Sequence, residues 1–230
     1  KKLNSDKRIG IIETEVQKRQ AEIDGLASSK QVLVELPAYE DEVTFRIGQI
    51  YAEIKRFWEG FVLFDKLYQQ DRTSEIGEAA MLQSVLVLYD VKEIKRAEER
   101  ILTYLSEQPD GQYARTLLSL MMRDNLVKQE FADVVRLKDS MDLIPESSNI
   151  DERALQADLH YMMAFGQFQS RNYAGAEDEF GMILAEYQNS IHFNDARYYR
   201  GMTRMLQACY AEALEDFVTY RDQNGSGEHA

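Results

Sequence analysis

Few residues in this chain could do chemistry, and their spacing assembles no reactive site. There are three histidines, His160, His192 and His229, and one cysteine, Cys209. Zinc takes several nitrogen or sulfur ligands, and two histidines on a helix share a metal at i and i+4. No two of these histidines have that spacing. His160 stands beside Tyr161 in a helical stretch, His192 in a polar connection and His229 in the tail. Each reads as a core-edge or solvated imidazole. Cys209 has Arg204 nearby in sequence but no base beside it, so it reads as an inert thiol. Acids are plentiful in "YEDE", "AEER", "GAEDEF" and "EALED". Adjacent acids on a helix point in different directions, so these runs predict solvated faces and not a catalytic dyad. Glu177, Asp178 and Glu179 fall in that class. The "GSG" at residues 225–227 follows no strand and reads as a flexible tail, not a phosphate loop. No metal, cofactor or catalytic residue is expected.

The bulk composition points the same way. The 230 residues are 44% apolar and 29% charged, which suits a folded chain. Against 27 Lys and Arg stand 40 Asp and Glu, a net charge of −13. Nucleic acid demands clustered cations, so it is not an expected partner. No apolar run is long enough to span a bilayer, so no direct membrane insertion is expected. The chain begins "KKLNSDKR" without an initiator Met and reads as an excised fragment or a mature chain. Only 3 Pro and 12 Gly interrupt it, which predicts helices throughout.

The elements that position these residues emerge from an internal repeat. In "RNYAGAEDEF", Tyr173, Ala176 and Phe180 sit at i, i+3 and i+7, on one helical face. Moving 37 residues on gives Tyr210, Ala213 and Phe217. Upstream, Phe57, Gly60 and Phe64 recur 37 residues later as Ile94, Ala97 and Ile101, and again as Phe131 and Val134. From Val134 to Ala176 the step is 42, an insertion of five. Twelve residues before each small position stand Gly48, Val85, Met122, Ala164 and Gly201, in stretches with helical periodicity. Each of the five units is therefore predicted to be a helix, a tight turn and a second helix. One hairpin cannot bury its apolar face alone, so neighbours must stack. The expected fold is all-α, a right-handed solenoid of stacked hairpins. Repeats one to three span 39–150 and repeats four and five span 151–222. Residues 1–38 read as a degenerate hairpin or capping helices, and 223–230 as the tail.

This pattern resembles the tetratricopeptide repeat family. Ile47, Gly48 and Tyr51, followed by Gly60 and Phe64, match its motif, with Thr44 in place of the tryptophan. Tyr199-Arg200-Gly201 with Ala213 and Phe217 matches in part. The middle unit, with Met122 and Val134, departs most from it. The link "YQNSIHFNDARYYRG" is similar to links in bacterial envelope members, such as the periplasmic partner of the Tol-Pal system and outer-membrane assembly lipoproteins. That likeness implies a bacterial periplasmic or outer-membrane-associated setting.

The resemblance also implies where a partner binds: on a concave face lined by the first helices. In the fourth unit the implied positions are Asp158, Tyr161, Phe165, Phe168 and Gln169. In the fifth they are Asp195, Tyr198, Met202, Met205 and Leu206. The first unit offers Glu42, Phe45, Gln49, Ala52 and Glu53, and the second Ala79, Leu82, Leu86, Tyr89 and Asp90. Aromatic and Met side chains would hold an apolar segment of a partner protein. Asp158 and Asp195 would select basic flanks. An aromatic stripe on a helix also fits a core, and both readings stay open. The expected function is a non-enzymatic protein-interaction scaffold. A self-assembling solenoid, possible as a homodimer, and the regulatory arm of a larger enzyme are the alternatives.

Overall fold

The computed structural model describes residues 14–26 and 39–223. Residues 14–26 form helix α1, exposed along its length. The rest of the hairpin expected over 1–38, and the tail with His229, lie outside the described residues. The remaining helices are α2 (Glu40–Glu53), α3 (Phe57–Gln70), α4 (Glu75–Asp90), α5 (Ile94–Glu107), α6 (Ala114–Val127), α7 (Phe131–Arg136), α8 (Lys138–Asp142), α9 (Ile150–Gln169), α10 (Tyr173–Glu186), α11 (Phe193–Leu206) and α12 (Tyr210–Gln223). No strand occurs among the described residues. The five predicted hairpins are α2–α3, α4–α5, α6 with α7–α8, α9–α10 and α11–α12.

One turn joins the two helices of every hairpin. Lys55, Lys92, Gln129, Arg171 and Ala208 all have φ between 62° and 65°. In each case the next N–H reaches back five residues: Arg56 N to Tyr51 O, Glu93 N to Leu88 O, Glu130 N to Asn125 O, Asn172 N to Gln167 O and Cys209 N to Arg204 O. The preceding N–H closes a shorter ring, as from Lys92 to Tyr89 O. This is a left-handed helix cap that satisfies orphan carbonyls and reverses the chain within three residues. The conformation favours glycine, yet no glycine fills it in any unit.

Small residues let the paired helices approach. Gly48, Val85, Met122, Ala164 and Gly201 are all buried, as are Gly60, Ala97, Val134, Ala176 and Ala213. A Cβ on Gly60 would lie 2.9 Å from the carbonyl oxygen of Gly48, so α2 and α3 touch backbone to backbone. Successive hairpins then stack, α3 on α4, α7 on α9 and α10 on α11. The largest core cluster runs from Tyr68 on α3 to Met163 on α9, and the opposite face of α9 starts a second cluster around Phe180.

The middle unit differs from the simple hairpin expected. Its second helix is split at Leu137, whose N–H bonds Val134 O three residues back. Val134 is also the bulkiest residue at the small position. Gly166 on α9 makes room for it, since a Cβ there would lie 2.9 Å from Val134 Cγ1. The five inserted residues lengthen the next first helix: α9 has 20 residues where α6 and α11 have 14. Asn149 caps that extension by accepting from the N–H groups of Asp151 and Glu152. Buried Arg115 of α6 ties it down by donating to Glu152, to Gln156 and to the carbonyl of Pro145.

Candidate functional site

The first helices α2, α4, α6, α9 and α11 carry the wall that the resemblance implies, and their exposed chemistry changes from unit to unit. In α9, Tyr161, Phe165 and Phe168 are half-buried, and the Tyr161 and Phe165 rings stack at 6.5 Å. Tyr161 stacks on the His192 ring with centroids 4.1 Å apart and 6° between planes. Phe165 and Phe168 each meet Tyr199 of α11 edge-on at 5.7 Å. Phe165 also touches Phe131 of the preceding unit. These three predicted residues therefore come together, but as a layer between hairpins with one edge toward solvent. Burial and the negative charge of Asp195 push the Tyr161 phenol well above its usual pKa. Asp195 itself is exposed.

The other predicted residues separate into distinct groups. Asp158 is occupied: it accepts from Arg123 of α6 at 3.1 Å and lies 2.9 Å from His192 Nε2. It pins the fourth unit to the third and to its own following link. Tyr198 turns toward its own hairpin, against Phe217 at 5.9 Å and Tyr220 at 5.5 Å. Met202 is half-buried. Met205 and Leu206 are 40% and 48% exposed, and so remain available to a partner. In the second unit Leu86 is exposed, while Leu82 and Tyr89 lean on the core. The first unit's Phe45 packs edge-on against buried Phe64 at 5.5 Å.

Sequence reasoning missed one highly exposed apolar side chain of the first helices. Val127, the last residue of α6, is 83% exposed. It is the counterpart of Leu206, since 127 + 42 + 37 = 206. The signal was in the repeat itself, which places Val127 at the same register as Leu206.

The acidic run in α10 is a correction. Asp178 is exposed as expected, but Glu179 is buried, with Oε2 2.6 Å from His160 Nδ1 and Oε1 2.8 Å from Lys138 Nζ. Glu177 binds Arg204 at 2.7 Å and Gln207 at 3.1 Å. Glu177 and Glu179 face neighbouring hairpins because α10 is flanked on both sides, a context that one unit's sequence does not show. Arg204, expected near Cys209, is engaged by Glu177 and by buried Asp216. Among the described residues, no three His, Cys, Asp or Glu side chains are grouped to hold a metal.

No protein-family model matches the sequence, and no curated protein does. Solved structures do. MamA AMB-1 superposes with a TM-score of 0.53 at 12% identity, over 84% of this chain and 96% of that one. A MamA mutant gives 0.53 at 12%, over 82% and 94%. Both are helical tetratricopeptide solenoids. The chain has a tetratricopeptide-type fold. PilW, a widely conserved type IV pilus biogenesis factor, superposes more loosely, at a TM-score of 0.45 and 13% identity over 84% of this chain and 81% of that one. No described helix is long and apolar enough to cross a membrane.

Proposed function

We propose that this tetratricopeptide-type solenoid is a non-enzymatic scaffold that holds an apolar segment of a partner protein along its first-helix wall. The observation that carries this reading is the exposed apolar set Leu86, Val127, Met205 and Leu206 on the first helices, of which Val127 and Leu206 hold the same register in the third and fifth units. An exposed, patterned apolar row on an acidic chain is costly to leave in water and is the usual mark of a docking surface. Tyr161, Phe165 and Phe168 form the rigid floor beside it, and Asp195 supplies a free carboxylate for a basic flank. The wall is tested by a pull-down with the intact chain and with a Val127→Asp, Leu206→Asp double variant. The expected outcome is a partner retained by the first and lost by the second, with equal melting temperatures. Equal recovery by both would reject the wall.

A second reading, self-association, rests on a different observation. Val43, Ile47 and Ile50 of α2 are exposed, whereas their counterparts 37 residues on, Ala80, Ser84 and Val87, are buried. At the far end Tyr210 and Leu214 of α12 are exposed too. Among the described residues these faces have the pattern of hairpin-stacking surfaces that a second copy could cover. Light scattering across concentration decides: Ile47→Glu should abolish any association that the parent shows. The likeness of the 187–201 link to those of envelope proteins supports a bacterial envelope setting, which cell fractionation tests.

A further inference from the structure

Away from the first-helix wall, the second helices α3 and α5 carry a ladder in which arginines alternate with aromatic rings. Arg96 lies 5.4 Å from the Trp58 centroid and 5.7 Å from that of Phe61. Arg100 lies 5.5 Å from Phe61 and 5.3 Å from Tyr68, and Arg72 lies 5.4 Å from Tyr68. The three guanidiniums line a groove of about 280 Å³. Rings on either side fix their planes, so their N–H forks are preorganised.

Acceptors for those forks are incomplete. Arg72 is held by Glu107 at 2.6 Å, and Arg100 by Asp65 at 2.7 Å through Nη1 alone. Nε and Nη2 of Arg100 are buried with no acceptor. Arg96 is exposed and makes no ion pair among the described residues. Most arginines elsewhere in this acidic chain have a carboxylate partner, as Arg115, Arg123, Arg200 and Arg204 do. A buried unsatisfied N–H is unfavourable, and a guanidinium fork matches a carboxylate in shape and charge. Arg96 and Arg100 stand one helical turn apart on α5, roughly 6 Å along its axis.

We propose that this groove binds an acidic segment of a partner protein, with a carboxylate received by exposed Arg96 beside the Phe61 ring and Arg100 adding its positive charge from beneath. The site is separate from the first-helix wall and does not depend on it. Glu99 also lines the groove and opposes an incoming carboxylate, which gives the site two substitutions with opposite expected signs.

Trp58 is the sole tryptophan and packs against Arg96 and Phe61 of the groove, so its emission reports a change at that edge. The full chain is titrated at low salt with an acetylated, amidated peptide alternating glutamate with glycine, and with its glutamine analogue. The glutamate peptide should change Trp58 emission saturably and the analogue should not. Arg96→Gln should raise the Kd about two- to fivefold, and Glu99→Gln should lower it by a similar factor, the scale of an exposed charge pair. Both side chains are exposed, and circular dichroism confirms that the variants fold. An equal response to the glutamine analogue, a Kd unmoved by both substitutions, or an equal response to inorganic phosphate would each overturn the proposal.

Discussion

Gly48 lies so close to Phe64 that an added Cβ would sit 2.7 Å from the ring's Cε1. The same relationship recurs in the last unit, where a Cβ on Gly201 would sit 2.8 Å from Cε1 of Phe217. The two rings differ in freedom: Phe64 is fully enclosed, and Phe217 is only half-buried. Gly48→Ala should therefore destabilise the chain by about 1–3 kcal/mol, the scale of overpacking a closed core. Gly201→Ala should be much milder, because Phe217 can shift and alanine gains up to about 1 kcal/mol of helix propensity. Urea unfolding of the two variants checks the order.

The shared turn predicts a gain. Lys92 sits at φ 65°, where a side chain is strained by roughly 1–2 kcal/mol relative to the right-handed region. Lys92→Gly should stabilise the chain by about 0.5–1 kcal/mol once the glycine's greater unfolded-state freedom is subtracted. Lys92→Val should destabilise it. Thermal melts of both variants would show opposite shifts, and shifts of the same sign would contradict the turn assignment.

Glu179 links three hairpin elements and gives a pH dependence. Burial raises its carboxyl pKa, but hydrogen bonds from His160 and Lys138 outweigh that and leave it lowered. A carboxylate with a lowered folded pKa contributes fully above the unfolded value of about 4.3 and loses its contribution as pH falls through the folded one. Glu179→Gln should cost about 1–3 kcal/mol at neutral pH, since it removes the buried carboxylate that faces His160 and leaves Lys138 with Asp142 alone. The gap between parent and variant should narrow below about pH 4. A gap constant from neutral pH to strong acid would show that the charge of Glu179 is not what stabilises the joint.

The hairpins were legible because their packing residues are local and periodic. Tyr173, Ala176 and Phe180 announce a face, and its recurrence announces stacking. The left-handed turns at Lys55, Lys92, Gln129, Arg171 and Ala208 were not legible, because no glycine marks them. The sequence showed that the middle unit departs from the pattern, but not that its second helix splits at Leu137. No Pro or Gly stands there, and the compensation by Gly166 comes from the next hairpin. At the site, the register implied by the family resemblance picked out Met205 and Leu206, which are exposed. It could not separate them from Tyr198, which bends toward Phe217, or from Asp158, which Arg123 and His192 occupy. Those outcomes depend on side chains more than 15 positions away in the chain.

Truncating the aromatic floor is a poor probe of binding, for a stated reason. Tyr161 meets Phe165, Phe180 and His192, so Tyr161→Ala removes packing as well as any contact surface. It should lower stability by about 2–4 kcal/mol. Met205→Ala, at an exposed position, should change stability by less than about 0.5 kcal/mol. A partner-binding defect in Met205→Ala at unchanged stability would assign the contact to the open edge of the wall.

Site-specific photocrosslinking shows whether a partner segment lies on the first-helix wall. A photoreactive side chain is placed in turn at Val127 and Leu206 on the wall, and at exposed Leu102 on second helix α5. The account predicts that a bound partner is captured from positions 127 and 206 and not from 102. Capture from 102 alone would contradict it.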